Sequence, residues 1–219
     1  MQAARAAGCS PALAHEPGWT VTLATGSASN VNGGAAGAVT GIQNVIGTAS
    51  GTNNLTGSSQ GNILIGGSGL NALIGGSGGS LLIGGSGHGS ITGGSGTDIL
   101  IARTTTYNAT TTAGQNSLMA ILAELQSADT FADKVYDLIH GTNSGDPAPH
   151  GHDLNGSNKL TWGGTSPTVK ASTGAFTLSG DISSSTASDW FFSNAFSTVK
   201  DFNDDGVTDE NNNNAIGVL

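Results

Sequence analysis

Five nonapeptides in tandem carry the fold prediction: GSSQGNILI (57–65), GGSGLNALI (66–74), GGSGGSLLI (75–83), GGSGHGSIT (84–92) and GGSGTDILI (93–101). The period extends backwards through TASGTNNLT (48–56) and VTGIQNVIG (39–47). A flexible Gly/Ser linker does not explain why the eighth position is always aliphatic. Because one aliphatic side chain per nine residues cannot form a core alone, the repeats must stack. The eighth positions are Ile46, Leu55, Leu64, Leu73, Leu82, Ile91 and Leu100.

The repeat resembles the RTX, or haemolysin-type calcium-binding, nonapeptide G-G-x-G-x-D-x-U-x. The resemblance covers about a third of the chain. It implies a parallel β-roll, secretion, and calcium held between turns by a sixth-position Asp and carbonyls of the glycine turns. From the repeats and this resemblance we expect a mainly β fold. Its main part would be a parallel β-roll or β-solenoid of nonapeptides over residues 20–103, with a small helical and irregular C-terminal cap.

The sixth position departs from the RTX pattern. It holds Asn44, Asn53, Asn62, Asn71, Ser80, Gly89 and Asp98, so only the last is an acid. Calcium takes six to eight oxygen ligands, and its affinity follows the carboxylate charge. Stacked Asn side chains can instead hydrogen-bond along the pile. We therefore expect repeats that are largely calcium-independent, with one cation near Asp98.

The chain has 219 residues, of which 36 are Gly, and its formal net charge is −9. This charge is distributed unevenly along the sequence. No Asp, Glu, Lys or Arg occurs between Pro17 and Thr97, so the acidic excess lies in the second half. This predicts a boundary near residues 98–105 and a second region over 104–219. So few cations disfavour nucleic-acid binding. No apolar run is long enough for a spanning helix.

The leader, residues 1–19, is expected to be disordered or non-native. It contains Cys9 after a short Ala-Ala-Gly stretch, but no apolar segment of the length that a signal peptide needs precedes it. A single Cys cannot form an internal disulfide. We expect a secreted, extracellular protein, although this chain has no recognisable N-terminal signal peptide.

Residues 116–140 change to a helical period. The apolar spacing predicts one amphipathic helix, capped by Asn116 or Ser117. Its apolar residues are Leu118, Met119, Ile121, Leu122 and Leu125. A second helix is predicted over 129–139, ended by Gly141. We expect this helical hairpin to cover the end of the stack, as caps of repeat proteins do.

The region from Ile99 onward resembles the C-terminal end of large secreted bacterial repeat or adhesin-like proteins. The resemblance rests on the helix pair and on two Trp-containing segments, SNKLTW (157–162) and DWFF (189–192).

Residues 201–212, DFNDDGVTDENN, match part of an EF-hand-like calcium loop. Asn212 stands where that loop has a bidentate Glu. A Ca²⁺ site and a solvated acidic turn both remain open. The candidate ligands are Asp201, Asn203, Asp205, the carbonyl of Val207, and Asp209.

His150, His152 and Asp153 form the candidate catalytic site. Two His separated by one residue in a strand face the same side and can hold a metal. The segment is similar to the H-x-H-x-D-H motif of metallo-β-lactamase-fold hydrolases, but Asp153 comes one place early and the final His is missing. A flexible loop after Pro149 is the alternative.

Two functions therefore stand at this point. The first is an extracellular structural or binding module of an RTX-like or adhesin-like protein. In that module, a flat face rich in Ser, Thr and Asn would contact a glycan or a cell surface. The alternative is a secreted hydrolase or lyase acting on an ester, a lactone or a polysaccharide, possibly metal-assisted. Nothing in the sequence indicates an oligomeric state.

Overall fold

The computed structural model describes residues 19–29, 37–38, 42–141, 154–162, 165–170, 174–180, 188–193, 198–200 and 207–208. Short strands and two helices make up these residues. In chain order they are β1 (Thr20–Thr22), β2 (Ser27–Ser29), β3 (Gly37–Ala38), β4 (Asn44–Ile46), β5 (Asn53–Ser58), β6 (Ile63–Ile65), β7 (Leu70–Gly76), β8 (Leu81–Ile83), β9 (His88–Gly94), β10 (Ile99–Ile101), β11 (Thr104–Thr105), α1 (Thr112–Leu125), α2 (Phe131–His140), β12 (Val169–Lys170), β13 (Phe176–Ser179), β14 (Trp190–Phe192), β15 (Thr198–Lys200) and β16 (Val207–Thr208).

Fourteen of the described strands form two sheets. The eight-stranded sheet has the order β15-β13-β9-β7-β5-β1-β2-β3, and the six-stranded sheet has the order β16-β14-β10-β8-β6-β4. β11 and β12 form a separate antiparallel pair. From β4 to β10, successive strands alternate between the two sheets. Parallel neighbours from β5 to β10 lie 18 residues apart, as Leu55 and Leu73 or Leu64 and Leu82 do, whereas β4 and β6 lie 19 residues apart. Strands from the acidic half continue both sheets, since β13 pairs with β9 and β14 pairs with β10.

Two hydrophobic layers hold the elements together. The first lies between the sheets and contains the eighth-position residues from Leu55 to Leu100, each at most 1 % exposed. The second lies between the six-stranded sheet and the helices, and joins residues such as Ile63 and Leu81 to Leu118 of α1 and Leu138 of α2. The opposite, outward face of the eight-stranded sheet carries no helix in the described part of the chain.

The predicted fold class, a mainly β parallel β-roll or β-solenoid with a small helical and irregular cap, is therefore wrong. In the described residues the fold is mixed α/β, with fourteen strands in two sheets that contain parallel pairs and with two helices that build one of the two hydrophobic layers. The helices do not cover the end of the stack. They lie on the face of the six-stranded sheet, because strands β6, β8 and β10 each present aliphatic side chains on both of their faces.

Two local predictions are corrected. Val45, rather than Ile46, is aligned with Leu64 and is 4 % exposed, so the backward extension of the repeat slips by one residue at β4. Helix α1 begins at Thr112 rather than near Asn116, because the hydroxyl of Thr111 accepts a hydrogen bond from the Gly114 N–H at 3.2 Å.

The second helix agrees better with its prediction. α2 ends at Gly141, which has φ +71°, as expected for a glycine that terminates a helix. Thr130 caps its start by accepting a hydrogen bond from the Asp133 N–H at 3.3 Å. The predicted start at residue 129 was thus two residues early.

Five of the seven sixth-position residues are fully buried, since Asn53, Asn62, Asn71, Ser80 and Asp98 are all 0 % exposed. The predicted hydrogen bond along the pile is present where Asn53 Nδ2 donates to Asn71 Oδ1 at 2.9 Å. Each of these Asn side chains also closes the turn before it. Asn71 Oδ1, for example, accepts from the Gly67 N–H at 3.0 Å.

Candidate functional site: an uncharged hydroxyl face

Most of the predicted site residues lie outside the described residues. This holds for the candidate catalytic residues His150, His152 and Asp153, and for Asp201, Asn203, Asp205 and Asp209 of the candidate calcium loop. Val207 begins β16, which pairs in parallel with β14. The structure therefore does not test these two sites, and they stay predictions.

Asp98 is the one predicted ligand whose side chain is described. Its Oδ1 accepts from the Ser80 N–H at 2.6 Å, and its own N–H donates to Asp189 Oδ1 at 2.8 Å. Asp189 is also buried, so a second carboxylate lies beside the backbone of Asp98, where β10 and β14 begin. Within the described ranges, no group of three or more His, Cys, Asp or Glu side chains is arranged to hold a metal ion. The cation predicted near Asp98 remains a prediction.

The outward face of the eight-stranded sheet carries two rows of side chains that are mostly small and polar. Alternate residues of a strand point to opposite faces, and the parallel register aligns the outward ones across β1, β5, β7, β9 and β13. We call these two rows the hydroxyl face. The first row is Thr20, Asn54, Ala72, Ser90 and Thr177, and the second row is Thr22, Thr56, Ile74, Thr92 and Ser179.

Strand geometry sets the spacing of the hydroxyl face. Neighbouring strands lie about 4.8 Å apart, and residues two apart along a strand lie about 6.6 Å apart. Five strands therefore extend over about 19 Å. Over these five strands neither row contains an ionisable residue, and Lys200 of β15 stands at the next register position after Ser179. Eight of the ten positions carry hydrogen-bonding side chains, and Ala72 and Ile74 are the other two.

Most groups of the hydroxyl face keep their hydrogen-bonding capacity. Asn54 Nδ2 donates to Thr20 Oγ1 at 3.4 Å, which is a long contact. Within the described residues, the hydroxyls of Thr56, Ser90 and Thr92 make no hydrogen bond to another protein group. They are therefore available to water or to a ligand.

An apolar track crosses the hydroxyl face along β7. Its outward residues are Leu70, Ala72 and Ile74, and Leu70 and Ile74 are 47 % and 43 % exposed. They are two of the three exposed large hydrophobic side chains in the described part of the chain, and the third is Leu154. The polar strands β5 and β9 flank the track on both sides. An exposed apolar patch with a polar surround is typical of a binding surface.

Sequence reasoning anticipated a polar sheet face but missed the apolar track. The signal was the difference between alternate nonapeptides. GGSGLNALI carries Leu70 and Ile74 at positions where GGSGHGSIT carries His88 and Thr92. A pattern in which all nonapeptides are equivalent does not include this difference.

Comparisons with known proteins add no family assignment. No protein-family model, curated protein or solved structure matches the chain. In the described part of the chain, neither helix is long and apolar enough to cross a membrane.

Proposed function

We propose that the chain is a binding module of a secreted, RTX-like or adhesin-like protein and that its hydroxyl face binds a neutral polysaccharide. The observation that carries this proposal is the exposure of Leu70 and Ile74, 47 % and 43 %, between strands that present hydroxyl groups. Two large aliphatic side chains exposed on one strand of a polar sheet face do not contribute to solubility, and they are typical of an interaction site.

The chemistry of a polysaccharide matches this arrangement. A pyranose ring has apolar C–H groups on its faces and hydroxyl groups at its rim. The apolar track can contact the ring faces, while Thr56, Ser90 and Thr92 exchange hydrogen bonds with the rim hydroxyls. The lack of charge in both rows favours a neutral glycan over an acidic one.

The test measures binding of the purified chain to insoluble neutral polysaccharides, namely cellulose, chitin, xylan and starch, by depletion from solution. The double variant Leu70→Ala/Ile74→Ala removes most of the apolar track. Because each exposed side chain contributes about 1 kcal/mol of apolar contact when covered, we expect at least about a tenfold loss of affinity. Leu154→Ala is the matched control, since Leu154 is equally exposed and does not belong to the hydroxyl face.

Two results would overturn the proposal. One is that the unmodified chain binds none of the four polysaccharides. The other is that Leu154→Ala weakens binding as much as the double variant does. A second pair, Thr56→Val and Thr92→Val, checks the hydroxyl contribution, because Val keeps the shape of Thr and removes its hydrogen-bonding group.

Calcium belongs to the proposal as a separate element. We propose Ca²⁺ at Asp98 and at the loop from Asp201 to Asp209, with the repeats before Asp98 independent of it. Metal analysis of the purified chain, before and after dialysis against a chelator, tests this element. The hydrolase or lyase alternative depends on His150, His152 and Asp153, and no observation on the described residues favours it.

A further inference from the structure

A cleft lies on the other side of the molecule, where α1 crosses strands β4 and β6. It has two parts, of about 100 Å³ and about 210 Å³, which share Asn44 and Met119 in their walls. One part is bounded by the first turns of α1, the other by its last turns. Both sheets separate the cleft from the hydroxyl face.

Among the described residues that line the cleft, the polar side chains are all carboxamides, apart from the hydroxyl of Thr112. None of these described lining residues is ionisable. Carboxamides instead come from α1, from β4 and from the turns beside it. They are Gln43, Asn44, Gln60, Gln115, Asn116 and Gln126.

Hydrogen bonds to the backbone hold half of these carboxamides. Asn44 Oδ1 accepts from the Ile63 N–H at 3.1 Å. The Nε2 groups of Gln115 and Gln126 donate to backbone carbonyls at 2.9 Å and 3.0 Å. These contacts leave one polar atom of each carboxamide available, an amide nitrogen on Asn44 and an oxygen on each of the two glutamines.

The other three carboxamides keep their full capacity. Within the described residues, the side chains of Gln43, Gln60 and Asn116 make no hydrogen bond. Because a carboxamide offers two donors and two acceptor lone pairs, the cleft presents both kinds of group to a ligand. Such a set matches hydroxyl groups, which also donate and accept.

Between the carboxamides the cleft wall is aliphatic. Ile46, Ile65 and Met119 line it and are only partly buried. Ile46 is in this wall because β4 places Val45, rather than Ile46, in the layer between the sheets. The wall thus combines an apolar surface with polar groups around it.

We infer that this cleft binds a neutral saccharide of one or two sugar units. Among the described lining residues, an anionic ligand such as a nucleotide or an organic acid would find no cation, and an amine would find no carboxylate. Each part of the cleft is smaller than the roughly 300–1,000 Å³ of sites for drug-sized ligands, which favours a short ligand over a long chain. The inference stands on the chemistry of the cleft and does not require the hydroxyl face to bind a polysaccharide.

The test titrates the full chain with soluble sugars in a calorimeter. The probes are glucose, galactose, mannose, N-acetylglucosamine and their β-1,4- and α-1,4-linked disaccharides, at millimolar concentration. We expect one of them to bind. The double variant Gln60→Ala/Asn116→Ala should weaken that sugar by about tenfold or more, since it removes two groups worth about 1 kcal/mol each. Both side chains are exposed, so their removal leaves the core intact.

Ser86→Ala is the control, because it removes an exposed polar side chain from a turn that belongs to neither the cleft nor the hydroxyl face. Its sugar affinity should equal that of the unmodified chain. The inference is overturned if no sugar of the panel binds, or if the double variant binds it as tightly as the control does. Loss of polysaccharide binding in Leu70→Ala/Ile74→Ala with unchanged sugar binding would support both sites. If sugar binding persists while no polysaccharide is retained, the function proposed for the hydroxyl face fails and this inference stands.

Discussion

Replacing Asn71 tests the proposal that the repeats before Asp98 fold without Ca²⁺. Asn71 is fully buried, and its amide nitrogen donates to three backbone carbonyls, those of Gly67, Gly69 and Gly84, at 3.2, 2.9 and 3.3 Å. Its Oδ1 accepts from the Gly67 N–H and from Asn53 Nδ2. The nitrogen therefore lies among oxygen atoms of the kind that Ca²⁺ takes as ligands.

Asn71→Ala removes all of these hydrogen bonds, but several of the partner groups keep another hydrogen bond. The Gly67 and Gly69 carbonyls still accept from the N–H groups of the next coil, and Asn53 Nδ2 keeps other acceptors. The Gly67 N–H loses its acceptor, which costs about 1–3 kcal/mol, and the remaining lost bonds add about 1 kcal/mol. We expect a decrease of about 2–4 kcal/mol in the free energy of unfolding.

Asn71→Asp keeps the two accepted bonds but turns an ionised oxygen toward the three carbonyls. A buried charge without a counterion costs about 3–5 kcal/mol. In chelator at neutral pH this variant should therefore be at least as unstable as Asn71→Ala. Added Ca²⁺ should recover part of the loss, because the new carboxylate and the carbonyls together supply oxygen ligands.

Urea denaturation followed by tryptophan fluorescence measures both variants in chelator and in millimolar CaCl₂. Asn54→Asp is the control, because Asn54 is exposed and should change stability by no more than about 0.5 kcal/mol. The reasoning is refuted if Asn71→Ala costs less than about 1 kcal/mol, or if Asn71→Asp is as stable in chelator as Asn54→Asp. It is also refuted if Ca²⁺ stabilises Asn71→Asp no more than the unmodified chain.

Two further predictions concern polar groups in or beside the helical layer. Burial raises the pKa of the Glu124 carboxyl, and the nearby charge of Asp137 raises it further. The ionised carboxylate therefore opposes folding. The free energy of unfolding should fall as the pH rises from the pKa of Glu124 in the unfolded chain toward its higher pKa in the folded chain. Glu124→Gln should make stability depend less on pH. Urea midpoints measured between pH 4 and pH 8 check this, and the same pH dependence in the variant and in the unmodified chain would contradict it. The Tyr107 hydroxyl accepts from the Lys159 N–H and donates to the Lys159 carbonyl, both at 2.7 Å. Tyr107→Phe should therefore cost about 1–3 kcal/mol in urea denaturation, and a loss below about 0.5 kcal/mol would show that water replaces both bonds.

The layer between the sheets could be predicted from the sequence, because its signal repeats without interruption. Every eighth-position residue from Leu55 to Leu100 is buried there. The amide-to-amide bond from Asn53 to Asn71 was also predictable, since the period places equivalent side chains at one level. The error at β4 arose because Val45 and Ile46 are both aliphatic, so the pattern does not choose between them.

The helical layer was harder to predict, because it depends on a difference between alternate repeats. The nonapeptides that form β6, β8 and β10 end in Ile-Leu-Ile or Leu-Leu-Ile, whereas those that form β7 and β9 end in Ala-Leu-Ile and Ser-Ile-Thr. In the first set the residues on both sides of the eighth position are aliphatic. Since a strand sends neighbouring side chains to opposite faces, these strands need cover on both faces.

The same alternation determines which surface remains for a ligand. The six-stranded sheet must bury its second aliphatic face, and the helices from Thr112 to His140 provide the apolar residues to do so. The eight-stranded sheet presents mostly hydroxyl groups on its second face, so water satisfies it and no helix is required. Leu70 and Ile74 are the exceptions on that face, because they leave apolar surface in water where the rest of the face does not. The packing of the described residues does not explain that exception, and the proposed contact with a polysaccharide would explain it.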